Sequence, residues 1–132
     1  FAENLGAESI VFDPPRHRVP VSATFIRSQP LRYWEFIPDI VKPYFVKKIC
    51  FYGPESTGKS VMTQRMASLF NTVSVPEVAR EFLITNSFTT EDIIAIGKAH
   101  DERISAKTKE ANKILFVDTD AITTQIYSAH YL

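Results

Sequence analysis

Gly53-Pro54-Glu55-Ser56-Thr57-Gly58-Lys59-Ser60 decides the reading of this chain. The stretch fits G-x-x-x-x-G-K-[ST] at every fixed position. At ordinary residue usage that pattern arises by chance in roughly 0.5% of chains this long. Its flanks lower the figure further. Lys48–Tyr52 (KICFY) reads as a strand, and Lys59–Phe70 as a helix with Val61, Met62, Met66, Leu69 and Phe70 near one face. Strand, Gly-bearing bend and helix form the context this motif requires. Backbone amides from Glu55 through Ser56, Thr57 and Gly58 to Ser60 can curl around phosphate oxygens, and the helix N-terminus adds positive potential. Gly53 and Gly58 are small where the chain must bend and where a side chain would block a ligand. Lys59 supplies a point charge for the terminal phosphates. The Ser60 hydroxyl suits Mg²⁺, which keeps several waters and takes few protein ligands. The stretch predicts an ATP site with Mg²⁺.

Downstream, strands and helices alternate. Thr72–Val75 (TVSV) reads as a second strand, followed by a helix from Pro76 through Ile84. Thr89 or Thr90 caps a long helix reaching about Asn112, with Glu91 and Asp92 in its first turn. Ile114–Val117 (ILFV) is a third strand ending at Asp118, and Ala121–His130 starts another helix. This order predicts an α/β fold: a parallel sheet with helices on both faces, of the P-loop NTPase type. Ligands of such sheets bind beyond the carboxyl ends of the strands. Asp118 stands there and is read as the Mg²⁺-organising carboxylate, a helix cap being the competing role. Asp120 is divided between cap and site. Glu77, after the second strand, can face an attacking hydroxyl and accept its proton. Arg80 can pair with Glu77 or reach a substrate phosphate. An exposed Glu77–Arg80 pair fits the spacing equally well. His100 with Asp101 reads as sheet cover or solvent face, and Cys50 as a small buried residue.

The first 43 residues differ in character. They hold six of the eight prolines (Pro14, Pro15, Pro20, Pro30, Pro38 and Pro43), which leaves room only for short helices and peripheral strands. Ser9–Phe12 reads as a buried strand. Ser22 caps a short helix over ATFIRS, and Leu31–Ile37 and Asp39–Phe45 form two more short helices. Tyr33, Trp34, Phe36, Tyr44 and Phe45 are read as a packing cluster.

Fifteen basic and fifteen acidic residues cancel, so bulk charge gives no case for nucleic-acid binding. Apolar residues at 45% and charged residues at 23% exclude a disordered chain. One cysteine excludes an internal disulfide and fits a reducing, cytoplasmic setting. No apolar run approaches a membrane span, and FAENLGAES lacks the features of a signal peptide. The first residue is not Met, and IYSAHYL reads as mid-helix, so the chain is expected to be a piece of a longer polypeptide. A homo-oligomer is compatible with all of this.

Three segments together carry a resemblance: FDPPRHRVPVSATFIRSQPLRYWEFIPDIVKPYFVKKICFYGPESTGKS, VPEVARE, and KEANKILFVDTDAITTQ. In that order they resemble the NadR-type bifunctional family, a nicotinamide-nucleotide adenylyltransferase fused to a ribosylnicotinamide kinase. The resemblance covers almost the whole chain. It implies that residues 1–45 are the helical tail of a Rossmann-like nucleotidyltransferase domain. A signature of the form I-S-x-T-x-x-R is met there by Ser22, Thr24 and Arg27, with Val21 for the Ile, and in the family that helix N-terminus binds ATP phosphates. Phe25 stands where many relatives have Lys. The family's histidine motif for adenylyl transfer is absent from the chain, so the resemblance does not extend to the NMN-to-NAD reaction being run here. Residues 46–132 are implied to be the first part of a P-loop kinase that phosphorylates ribosylnicotinamide to nicotinamide mononucleotide. The loop residues and Asp118 carry over directly. Glu77 carries over from nucleoside kinases generally. A second class fits the same loop, a regulatory ATPase whose hydrolysis drives a partner, and the residue after the second strand separates the two.

Overall fold

The computed structural model describes residues 2–10, 13–82 and 89–120, with 122 and 125. The chain divides into two compact units, Phe1–Ile37 and Pro38–Leu132.

The first unit is built of turns and short helices. Asp13 has a positive φ of 47°, and its carboxylate accepts from the amides of His17, Arg18 and Val19 at 2.8, 2.9 and 3.0 Å. Partial loss of water pushes this carboxyl up. The three amides outweigh that and leave it below its ordinary value. Helix α1, Ala23–Ser28, starts as the sequence predicts: Ser22 Oγ accepts from the Phe25 amide at 3.1 Å. A 3₁₀ turn follows at Trp34–Phe36. Ser9 and Ile10 correct the expected strand, for they are in no strand and Ile10 is exposed. Val11 and Phe12 lie outside the described residues. Trp34 is buried, but Phe36 is half-exposed. Phe25 stacks on Tyr33, with centroids 6.1 Å apart.

The second unit opens with α2, Lys42–Phe45, where Pro43 occupies the tolerated first turn and Tyr44 faces outward. Strand β1 (Lys47–Phe51), helix α3 (Lys59–Leu69), strand β2 (Ser74–Val75), helix α4 (Ala79–Phe82), helix α5 (Thr90–Glu110) and strand β3 (Ile114–Asp118) follow. The strands form a parallel sheet in the order β1-β3-β2. The chain thus crosses over β3 on its way to β2 and returns to the middle. Right-handed crossovers in opposite directions must cover opposite faces, and the packing agrees. Leu115 and Val117 point to one face and join Val75, Ala111 and Ile104 of the α5 side. Phe116 points to the other, against Phe51 and against Phe70 at the end of α3, with centroids at 6.1 and 5.6 Å.

Three expectations about this unit need correction. The helix after β2 begins at Ala79, because Pro76–Val78 stay non-helical, and residues 83 and 84 lie outside the described ones. Strand β2 is two residues long. Thr72 instead turns its hydroxyl to the neighbouring turn, donating to the Ile114 carbonyl at 2.6 Å and accepting from the Asn112 amide at 2.9 Å. Helix α3 buries Thr63 and Ala67, while Val61, Met62 and Leu69 are exposed. Small residues at i and i+4 let the helix lie close to the sheet. The Thr63 hydroxyl donates to the Lys59 carbonyl at 2.9 Å, so its burial leaves no polar atom stranded. Helix α5 begins as predicted: Thr89 and Asp92 form a reciprocal capping box. Of the expected final helix, Ile122 and Gln125 are helical, and the rest lies outside the described residues.

Candidate functional site

The phosphate-binding bend leaves β1 after Phe51 and closes into α3. Three of its residues have positive φ: Gly53 at 148°, Ser56 at 60° and Gly58 at 85°. Left-handed residues such as Ser56 and Gly58 are the kind from which anion-binding nests of backbone amides are built. Gly58 caps α3 in the left-handed conformation, where a side chain is strained even though a Cβ would meet nothing within 4 Å. The bend is braced internally. Thr57 Oγ1 and Lys59 Nζ both donate to the Pro54 carbonyl, at 2.8 and 2.7 Å. Lys59 thus lies back across the loop, and Ser60, half-buried, sits one residue inside the helix. Glu55, Ser56 and Thr57 are exposed to an approaching ligand.

Asp118 stands beside this bend. It pairs with Phe51 in the sheet register, so the residue that launches the loop and the carboxylate are neighbours across adjacent strands. Strand alternation puts Asp118 on the Phe116 face, the side that α3 covers. It is 2% exposed, and its Oδ1 has no hydrogen-bond partner among the described residues.

Thr119 follows with φ at 67°, an outlier for a β-branched residue that costs on the order of 1–3 kcal/mol. Its amide donates to the Phe51 carbonyl at 3.0 Å. The Thr119 main chain acts on the ring of His100, from α5, in the direction that favours its protonated form. Burial, the larger effect, holds His100 below its ordinary value, with Arg103 adding to it and Asp120 and Asp118 opposing. Sequence reasoning placed His100 as sheet cover or solvent face. It is 6% exposed, on the buried stripe of α5 with Ile96 and Thr108. Only its spacing on that stripe, four residues after Ile96, could have signalled this. Burial first, then the Asp120 and Asp118 carboxylates, push the Cys50 thiol up to about 11.

The two edges of the sheet differ in how their polar groups are satisfied. At the amino edge, Thr72 and Asn112 bind the main chain of the β2 and β3 turns. At the carboxyl edge lie all three buried side-chain atoms that lack a partner among the described residues: His100 Nε2, Asp118 Oδ1 and Thr119 Oγ1. Buried polar atoms are normally paired, and exceptions cluster where a ligand or ion belongs.

Glu77 lies two residues past Val75, which pairs with Val117, so it emerges at this same edge and is half-buried. The Arg80 side chain lies outside the described residues. Glu81 instead makes a bidentate pair with Arg103, at 2.6 and 2.8 Å, tying α4 to α5. Ser22, Thr24 and Arg27 belong to the first unit. There the Ser22 hydroxyl is engaged by the Phe25 amide, and Thr24 and Arg27 are exposed.

No group of three or more His, Cys, Asp or Glu among the described residues is placed to hold a metal by itself. Mg²⁺ needs no such cage, since it is usually held by one or two protein oxygens plus substrate phosphates. The unpartnered Asp118 oxygen and the Ser60 hydroxyl are hard donors that fit it. Among the described residues no helix is long and apolar enough to cross a membrane.

A parallel sheet whose first strand runs through this nest into a helix, with an acid at the end of the adjacent strand, is a P-loop NTPase-type fold. The model for the AAA domain matches residues 48–132, and the chain belongs to that family. It is similar to the trifunctional NAD biosynthesis/regulator protein NadR of Salmonella typhimurium and of Escherichia coli K12, 38% identical to each over 139 residues. The match takes in 99% of this chain and 33% of either relative, so the chain spans about a third of their length. Among solved structures it is similar to a NadR protein in complex with NR, with TM-score 0.83, 31% identity and coverage of 99% of this chain and 40% of the other. It is also similar to a NadR protein in complex with NAD and AMP-PNP, with TM-score 0.81, 32% identity and coverage of 96% and 38%. The resemblance read from the three segments therefore holds across nearly the whole chain.

Proposed function

We propose that this chain carries the ATP-binding half of a ribosylnicotinamide kinase that makes nicotinamide mononucleotide. The observation that carries the reading is the nest at Gly53–Ser60 set against Asp118 by the Phe51 register. The amides from Glu55 to Ser60 bind the β- and γ-phosphates of ATP. Lys59 exchanges the Pro54 carbonyl for phosphate oxygens. Ser60 and Asp118 would hold a Mg²⁺, which would supply charge neutralisation to the phosphates. Glu77 accepts the proton of the 5′-hydroxyl as its oxygen bonds to the γ-phosphorus. The bond from that phosphorus to the β,γ-bridging oxygen breaks, and ADP leaves. Positioning and charge neutralisation supply most of the acceleration. The solved relatives, bound to NR and to AMP-PNP, support this choice of ligands.

In the same reading, residues 1–45 are the tail of a nucleotidyltransferase domain, with Ser22, Thr24 and Arg27 directed to ATP phosphates. Residues 46–132 begin the kinase, and the setting is cytoplasmic, where ATP and a reduced Cys50 coexist.

The test is ADP release by the full polypeptide that carries this sequence. Release that depends on added ribosylnicotinamide, and a Glu77→Gln variant losing turnover while keeping ATP affinity, are expected. ADP release indifferent to the nucleoside would reject the kinase in favour of a regulatory ATPase.

A further inference from the structure

We propose that Arg103 is a positioning residue for the acceptor side of this site: its bidentate pair with Glu81 sets the short helix α4 against α5, and with it the place of Glu77 at the carboxyl edge of the sheet. The inference rests on the reading of Glu77 as the acid that faces the attacking hydroxyl.

The segment that carries Glu77 has little regular structure to hold it. Strand β2 is two residues long, Pro76–Val78 are non-helical, and α4 is a single turn. One turn of helix is not stable on its own. Its place therefore comes from contacts with the rest of the unit. Val78, 1% exposed, anchors the segment in the interior. The second tie lies on the helix itself, where Arg103 Nη1 and Nη2 donate to Glu81 Oε1 and Oε2 at 2.6 and 2.8 Å. Val78 alone leaves the turn free to pivot. The pair fixes its direction, because a planar guanidinium and a carboxylate meet side by side in one plane. The main chain carries this constraint back toward Glu77, the Glu81 amide donating to the Val78 carbonyl at 3.0 Å. The other end of the tie is firm. Arg103 lies well inside the 21-residue α5, and its neighbour Ile104 packs against Val75, Ala111, Leu115 and Val117. The pair thus ties the Glu77 segment to the strand that ends at Asp118. Both side chains still meet water, at 33% and 54% exposure, so the pair adds little to global stability. What it fixes is orientation.

The test uses the full polypeptide that carries this sequence. The variants are the charge reversals Arg103→Glu and Glu81→Arg, the exchange that combines them, and the neutral Arg103→Gln. Turnover with ribosylnicotinamide, affinity for Mg-AMP-PNP and melting temperature are measured on each. Each reversal should lower kcat about tenfold through misplacement of the reacting groups, while AMP-PNP affinity stays within about twofold. The exchange rebuilds the pair in the opposite sense and should recover most of the loss. In a Glu77→Gln background Arg103→Glu should lower kcat no further, since residues that act as a unit are not additive. A merely structural pair would lose activity in step with stability and add its loss to that of Glu77→Gln. If a reversal does not fold, Arg103→Gln carries the same comparisons. Unchanged kcat, a loss that the exchange leaves in place, a parallel loss of AMP-PNP affinity, or additivity with Glu77→Gln overturns the proposal. Failure of the reading beneath it appears separately, as full turnover in Glu77→Gln alone or as wild-type ADP release indifferent to ribosylnicotinamide.

Discussion

The amide of Thr119 donates to the carbonyl of Phe51 across 3.0 Å, one residue beyond the last paired position of β1 and β3. Phe51 is the last strand residue before the phosphate loop, and Asp118 the last before the turn. The bond therefore locks the loop and the carboxylate to one register. Asp118→Asn should separate the cost of that arrangement from its use. A buried carboxylate oxygen without a partner is unfavourable, and its replacement by a neutral amide should raise stability without ligand by roughly 1–2 kcal/mol. The same change should abolish the extra stabilisation that Mg²⁺ gives beyond ATP alone. Urea unfolding with and without Mg-ATP checks both. Lower ligand-free stability in the variant would show that the carboxylate has a structural partner instead.

Among the described residues Lys59 Nζ bonds only to the Pro54 carbonyl, a contact at the protein surface. Lys59→Ala should leave the melting temperature without ligand nearly unchanged. Loss of a positioned cation at the transferring phosphate should lower turnover on the order of 10²–10³-fold. Calorimetry and steady-state kinetics on one preparation separate the two. Unchanged ATP affinity and turnover would remove Lys59 from the site.

Gly58 tests the loop without touching any side chain. Its φ of 85° is unfavourable for an L-residue, while a Cβ there would meet no atom within 4 Å. Gly58→Ala should cost about 1–2 kcal/mol through backbone strain alone. Gly58→Asn should cost less, because asparagine tolerates the left-handed region. A chemical denaturation series over the two variants gives the order. Equal costs would point to a steric cause.

Much of this was legible in the sequence, for reasons that are local. The loop motif fixes its own geometry, Thr89 and Asp92 cap α5 through neighbours three residues apart, and ILFVD is too apolar to lie anywhere but in the middle of the sheet. What escaped depends on contacts distant in the chain. The inward face of α3 is set by how closely a helix can lie on Phe116, and small Thr63 and Ala67 win over Val61 and Met62. The helix after β2 begins late, at Ala79, and Glu81 finds its partner 22 residues away in Arg103. His100 follows Ile96 by four residues on the buried stripe of α5, but that spacing alone does not separate a buried histidine from a solvent-facing one. Periodicity reveals which residues share a face, but not what that face will meet.

Cys50 gives a pH-dependent prediction. Burial first, then the Asp120 carboxylate, raises its thiol to about 11 from an ordinary 9.0. The folded state thus keeps a proton that the unfolded chain releases. Its contribution to stability is complete below about 9 and is lost as the pH rises toward about 11. At pH 8 the thiolate fraction is about 100-fold below that of an ordinary cysteine, since each pKa unit is a factor of ten. Alkylation by iodoacetamide should be slower by about that factor in the folded protein and rise to the ordinary rate in urea. Asp120→Asn should speed the reaction only part of the way, because burial is the larger cause. Rapid alkylation at pH 8 in the folded protein would mean that the thiol faces water and that Asp120 is turned away from it.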